Sequence, residues 1–363
     1  MRAPRIIACK QRSKTLIYES RRRTPSAGGF PSLRLYRCAL VGTGAFLCAP
    51  PRQWLRCRRF YLSTGNHPDR VTLLAQQERK VTVMQIKAGY SLTYDCPQPT
   101  PMLLTLNIHP SRRPDLLTPQ VLRFSPEIEQ WEYLDAYGNV CTRITAPKGA
   151  LTISTEFEIY DAGLPDVVPL DAHQHDVRDL PDDTLVYLLG SRYCETDRLT
   201  NIAWDLFGNT TMGWPRVQAI LDFVHRHITF DYQKADRTRS AFGSYTDRTG
   251  VCRDFAHLAL TFCRCMNIPA RYCTGYLGDI GVPVNPDPMD FSGWFEVYLG
   301  GHWYTADARH NEPRIGRILM GIGRDATDVA ISTQFGPAAL SNFSVTTYEI
   351  LSGEQTLAPT QPL

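Results

Sequence analysis

Apolar and polar positions alternate from the eighties of the chain onward, and the period changes twice along its length. Residues 85–94 alternate in the manner of a half-buried strand, residues 102–109 are apolar and β-leaning, and residues 132–137 and 151–160 repeat the pattern. Pro97, Pro99, Pro101, Gly138-Asn139 and Lys148-Gly149 separate these runs as turn formers. An antiparallel β-domain over residues 84–168 is therefore expected, and no catalytic constellation falls within it. Residues 169–204 read as an acidic linker with short helices at 185–189 and 199–206. The period then becomes helical. Val217, Ile220, Leu221, Val224 and Ile228 recur on one face of a helix over 214–230, which Pro215 suits as a first-turn residue.

A second helix is predicted from about Thr249 to Met266. Phe255, Ala256, Leu258, Ala259, Leu260 and Phe262 make it apolar around most of its circumference, which marks it as a central helix enclosed by the core. Ile268-Pro269 breaks it, a strand follows through Tyr276, and residues 278–289 form a loop of Asp and Pro turn formers. Residues 291–299 and 302–308 then read as a hairpin around Gly300-Gly301. That turn fixes the register: Leu299 faces His302, Trp294 faces Asp307 and Ser292 faces Arg309, with Ser292 and Asp307 as diagonal neighbours.

Charge divides the 363 residues unequally. Residues 1–83 carry 17 Lys and Arg against three acidic groups, whereas the remainder holds 22 basic and 33 acidic groups, so the net charge of +3 hides an acidic body. The basic leader has no sustained periodicity. A nucleic-acid arm or a targeting peptide would account for its Arg content, but its composition fits a disordered segment or a misassigned start, with Met84 opening the folded part. Seven of the 11 cysteines lie in the body, an odd number without framework-like spacing, which points to free thiols in a reducing, cytoplasmic setting. No apolar run is long enough for a membrane span. Neither a nucleic-acid nor a membrane partner is expected, and no cofactor or metal. His173, His175 and Asp176 form a cluster that lacks a further ligand at suitable spacing and reads as solvated linker.

Chemistry concentrates in the segment Thr249-Gly250-Val251-Cys252-Arg253-Asp254. Cys252 falls in the first turn of the central helix, where unpaired backbone N–H groups and the positive end of the dipole favour an anion. A depressed thiol pKa is expected there, as a nucleophile requires, with Gly250 leaving room beside the sulfur and Asp254 capping the helix start. Cys263 and Cys265, at the opposite end of that helix, are expected to be inert. Arg253 is expected to meet the acidic loop at 287–290, and residues 313–328 to wrap the core edge without a chemical role.

The motifs G-V-C-R-D-F-A-H, I-P-A-R-Y, W-F-E-V-Y-L and W-Y-T-A-D together resemble the transglutaminase-like superfamily over about residues 205–340. The resemblance implies an α+β fold: a papain-like core, in which a helix with an N-terminal Cys packs on an antiparallel sheet, preceded by the antiparallel β-domain. A core domain at 205–352 and a flexible tail at 353–363 complete this division. It also implies a Cys-His-Asp triad used in thiol proteolysis, deamidation or amide exchange. Cys252 matches the nucleophile and Asp307 the residue that orients the imidazole. The family's His position is Ser292 here, and a serine hydroxyl is no base near neutral pH. Arg309 and His310 are the substitutes on offer. Arg309 would hold a thiolate without accepting a proton, and His310 would need a bulge near Ala308 to turn inward.

Three readings follow. The first is a thiol enzyme acting on peptide or amide bonds of a peptide or protein substrate through a Cys252 acyl-thioester. The second is a catalytically silent relative that binds peptide or protein in a cleft lined by Trp294, Tyr298, Tyr304 and Arg309. The third, a metal site of Cys252, His257 and Cys263 or Cys265, is disfavoured by their spread along one helix.

Overall fold

The alternating amino-terminal pattern is realised as six strands: β1 (Met84–Cys96), β2 (Thr100–Leu104), β3 (Arg123–Ser125), β4 (Gln130–Leu134), β5 (Val140–Ala146) and β6 (Gly149–Asp161). These belong to a computed structural model that describes residues 84–351; the readings made for the leader and the tail lie outside them. Along β1, Ile86, Ala88, Tyr90, Leu92 and Tyr94 turn inward and are almost fully buried, as a period of two demands.

Helices follow. Pro181 precedes α1 (Asp182–Leu185), which tightens into a 3₁₀ turn at Val186–Leu188, and α2 (Thr196–Phe207) and α3 (Trp214–His227) come next. The second ends three residues short of the expected 230, because Thr229–Phe230 (β7) pairs in parallel with Thr249–Gly250 (β8). Between them, α4 (Ala241–Asp247) starts from a Ser240 cap whose side chain accepts the Gly243 N–H. The central helix α5 (Cys252–Cys265) has Leu258, Leu260 and Phe262 wholly buried, packed against α2, α3 and α4 and one face of a sheet.

That sheet comprises β9 (Ala270–Tyr276), β10 (Ser292–Leu299), β11 (His302–Ala306) and β12 (Ile318–Gly323), in the order β11-β10-β9-β12. Gly300 and Gly301 both have positive φ, 56° and 87°, as a tight reversed turn requires, and Leu299 pairs with His302 as the register predicts. Pairing ends at Phe295 with Ala306, so Asp307 lies just beyond the ladder.

Two late strands return to the amino-terminal sheets. β13 (Ser332–Gln334) pairs with β2, and β14 (Ala339–Glu349) pairs along β1 from Ile86 to Asp95. The orders are β14-β1-β6-β3 and β13-β2-β5-β4. The sequence reading assigned all of 205–352 to one later unit, whereas residues 332–349 lie in the sheets of the earlier one. The core is shared as well, since Tyr276, Phe291, Ile318 and Met320 join the cluster formed by β1 and β6. Among the described residues no helix is long and apolar enough to cross a membrane.

Candidate active site

Cys252 is the first residue of α5 and is buried. The helix starts there because Asp254 reaches back and its side chain accepts the Val251 N–H at 3.0 Å, while its own N–H donates to the Val251 carbonyl at 2.8 Å. Gly250 makes this approach possible, since a Cβ there would stand 2.6 Å from Asp254 Cβ and Oδ2. The space beside Gly250 thus serves Asp254, not a ligand at the sulfur. Asp254, fully buried, also accepts from Arg239 at 3.3 Å and Arg253 at 3.0 Å. Arg253 packs over Tyr193 and donates to the Asp236 carbonyl, so it is not the partner of the 287–290 loop that the sequence suggested.

From the sheet, the Gly293 backbone N–H acts on the Cys252 thiol in the direction of ionisation. Gly293 has to lack a side chain, because a Cβ would collide with the buried Tyr272 hydroxyl. Burial pushes the Cys252 thiol up to about 11, the negative charges of Asp290 and Asp307 push the same way, and Arg309 and the Gly293 N–H oppose them. This corrects the expectation of a depressed value: desolvation and nearby carboxylates outweigh the helix start, and the resting sulfur is a neutral thiol. Cys263 at the other end of the helix is raised further still by burial.

Asp307 is enclosed by donors. Its Oδ1 accepts the backbone N–H groups of Arg309 (3.0 Å) and His310 (3.1 Å), and its Oδ2 accepts His310 Nδ1 (2.9 Å) and an Arg317 guanidinium N–H (2.8 Å). Burial alone would raise its pKa, but Arg317 and His310 overcome that and hold it well below the usual carboxylate range. Arg317 also binds Asp166 at 2.9 Å and lies 5.0 Å from the centre of the Trp294 ring. The sequence reading gave residues 313–328 no chemistry, and it missed Arg317 as the central cation of this cluster. His310 is turned to Asp307, three residues away, and is fixed there.

Ser292, at the position of the family's imidazole, is buried and its Oγ has no hydrogen-bond partner. Arg309 lies 4.0 Å from the centre of the Phe230 ring, where its charge favours ionisation of Cys252, Asp290 and Tyr232. The sequence placed Asp290 only in an acidic loop expected to meet Arg253. Burial raises its carboxyl to about 6, against the pull of the Phe291 N–H and Arg309.

The cleft lining needs correction. Trp294 is 2% exposed and packs with Cys273 and Ile322 beneath Arg317, so it lines no cleft. Tyr304 borders an open groove of about 540 Å³ with Val168, Leu170 and Gly300, at the turn end of β10 and away from its Ser292 end. Tyr298 stacks on His175, whose Nε2 accepts the Gly301 N–H. The residues of the metal reading do not converge. His257 Nε2 accepts the Ala326 N–H, and its ring stacks on Tyr193.

His257 supplies a pH test. Burial first, then Arg253 and Arg264, lower its pKa far below that of free histidine, while Asp325 opposes. A depressed folded value means its contribution is complete above the unfolded pKa of about 6.5 and is lost as pH falls below it. Asp290, with a raised value, changes in an overlapping window with the opposite sign, so the useful quantity is a difference between variants. The stability gap between wild type and His257→Phe, measured by urea unfolding, is expected to shift by up to about 1.4 kcal/mol per pH unit below pH 6 in favour of the variant. A gap independent of pH would show that His257 charges freely in the fold.

Residues 201–308 match the model of the transglutaminase-like superfamily core. This segment is a transglutaminase-like domain. A Cytophaga hutchinsonii structure described as a "putative cysteine protease" is similar at 29% identity and a TM-score of 0.65, over 77% of this chain and 94% of that one. An uncharacterised Mycobacterium leprae protein is 40% identical over 83 residues, which is 22% of this chain and 30% of that protein's length. The periplasmic domain of TgpA from Pseudomonas aeruginosa aligns at 13% identity and a TM-score of 0.32, over 64% of this chain and 91% of that one, a likeness too slight to argue from. The mixed fold of the transglutaminase-like domain, helix on antiparallel sheet after an antiparallel β region, is as the sequence implied.

Proposed function

We propose that this chain is a thiol enzyme that opens peptide or amide bonds through an acyl-thioester on Cys252. The observation that carries the reading is the placement of the sulfur as the first residue of the buried central helix, which packs on β9 and β10 of the sheet. The Cys252 and Arg253 N–H groups have no acceptor within the helix and form the donor pair for an oxyanion. Support also comes from the transglutaminase-like domain and from the cysteine protease description of the Cytophaga hutchinsonii relative. Asp307 and Arg317 form a rigid wall beside the site and hold the backbone from which Arg309 projects. Peptide or protein is the substrate class.

One observation favours a second reading. The unpartnered Ser292 hydroxyl stands where an imidazole would be required, which suits a silent module that binds peptide or protein. p-Nitrophenyl acetate separates the two. A thiol enzyme is expected to release nitrophenol in a burst that leaves an acetyl group on Cys252, located by peptide mass mapping and abolished in Cys252→Ala. Acetylation spread over other residues, at a rate unaltered by Cys252→Ala, would favour the silent module.

A further inference from the structure

Among the described residues, every buried or half-buried arginine except one holds a carboxylate, as Arg239, Arg253 and Arg317 do, or donates to backbone carbonyls, as Arg216 and Arg264 do. The exception is Arg309. It is half-buried, yet its guanidinium meets neither an acid nor a carbonyl and lies on the Phe230 ring, 4.0 Å from the centre. Asp290 feels its charge without forming an ion pair with it. Contacts fix where this cation stands. The Arg309 N–H is held by Asp307 Oδ1 at 3.0 Å, and its carbonyl lies 2.9 Å from His225 Nδ1. Phe230 pairs with Gly250 through β7 and β8, and the next residue, Asp231, donates its N–H to the Gly250 carbonyl at 3.0 Å. Cys252 follows two residues after Gly250, and the Phe230 ring is 6.4 Å from that of Phe255 in the first turn of α5. The guanidinium is thus stacked on the strand partner of the turn that carries the thiol. Tyr232, 37% exposed, meets Phe230 edge-to-face at 4.8 Å and adds a solvent-reaching phenol to the same aromatic wall.

We propose that Arg309 binds a carboxylate of the substrate, so that the site takes peptides carrying an Asp or Glu side chain, or a free C-terminus, within a residue or two of the bond presented to Cys252. The assignment rests on the thiol-enzyme reading above and names its substrate class. A guanidinium offers five N–H donors in a planar fork that matches a carboxylate in two parallel hydrogen bonds. Stacking on Phe230 and the two backbone hydrogen bonds hold the residue in place before a ligand arrives, so little freedom is lost on binding. The chain beyond residue 83 holds 33 acidic groups against 22 basic ones. With that surplus, a half-buried cation left without an acid is a place for a carboxylate from outside the chain.

The test is protection of Cys252 from iodoacetamide, read by peptide mass mapping, with three N-acetylated alanine pentapeptides as competitors. One is amidated with a central Glu, one is amidated with a central Gln, and one is all alanine with a free C-terminal carboxylate. At least one of the two carboxylate peptides is expected to protect at a concentration about tenfold below that of the Gln peptide, the factor that one charge-assisted pair supplies. Which of the two does so tells a side-chain carboxylate from a terminal one. Arg309→Met, which keeps an apolar stem on Phe230, is expected to erase the preference, and Arg309→Lys, which keeps the charge without the fork, to retain part of it. Equal protection by all three peptides, protection by none at millimolar concentration, or a preference that survives in Arg309→Met would overturn the assignment. Carboxylate-dependent protection without burst acetylation of Cys252 would remove the thiol-enzyme reading and leave the carboxylate site standing, whereas burst acetylation with equal protection would do the reverse. Circular dichroism keeps loss of fold apart from loss of binding in the variants, and the comparison of peptides on the wild type stands whatever the variants do.

Discussion

Asp307→Ala is expected to destabilise the protein by about 3–5 kcal/mol, the range for stranding a buried charge. The carboxylate is 6% exposed, receives four hydrogen bonds, and shares the 8% exposed Arg317 with Asp166. Its removal leaves Arg317 with one acid where it had two and releases the turn from Asp307 to Asn311, whose N–H returns to the Asp307 carbonyl at 2.9 Å. The pH dependence has a definite sign. Because the folded pKa is depressed, the stabilisation is complete above the unfolded value of about 3.9 and disappears as pH falls below it. Denaturant midpoints for wild type and variant should therefore differ most at neutral pH and converge in acid. A difference under about 1 kcal/mol at pH 7 would mean that Arg317 finds full compensation in Asp166.

The second large effect is expected at the start of the central helix. Asp254→Ala removes the acceptor of the Val251 N–H and the fully buried carboxylate that Arg239 and Arg253 share, leaving Arg239 with Asp247 and the Lys234 carbonyl and Arg253 with the Asp236 carbonyl. A loss of roughly 3–5 kcal/mol is expected, of which the cap accounts for about 1 kcal/mol. Unlike Asp307→Ala, this change loosens the turn that carries Cys252, so alkylation of that residue by iodoacetamide should accelerate as the sulfur gains solvent. Mass mapping at Cys252 reads the acceleration. Unchanged protection of the thiol would show that the helix start is held by the sheet alone. Gly250→Ala tests the same contact from the other side, through a Cβ with no room beside Asp254.

Local rules made the central helix and its hairpin legible. A fourteen-residue helix that opens on a Cys and is apolar around most of its circumference, and a Gly-Gly turn between two strand-like runs, each fix an element and a register within a short window. The pairing of β14 with β1 could not be read that way. Its partners, such as Ile86 and Glu349, are separated by most of the chain, and a strand carries no mark of the edge it will join. The burial of Asp290 was missed for a related reason. In a loop rich in Asp and Pro it reads as one more turn former, and its burial is a property of the folded site. Arg317 looked like an unremarkable cation in a Gly- and Arg-containing stretch until folding brought Asp166 and Asp307 to it. The thiol pKa was misjudged because the helix start is a local signal, whereas desolvation and neighbouring carboxylates are properties of the assembled site.

The antiparallel union of β1 with β14 brings Gln85 and Ile350 within a single hydrogen bond of 2.7 Å. Two points so far apart in sequence thus become a common doorway. A handful of added residues could join them into a ring, and new ends could be opened at an exposed bend such as the one near Val284. By the same token, cargo joined at Met84 would hang beside cargo joined at Leu351, next to the paired strands β1 and β14.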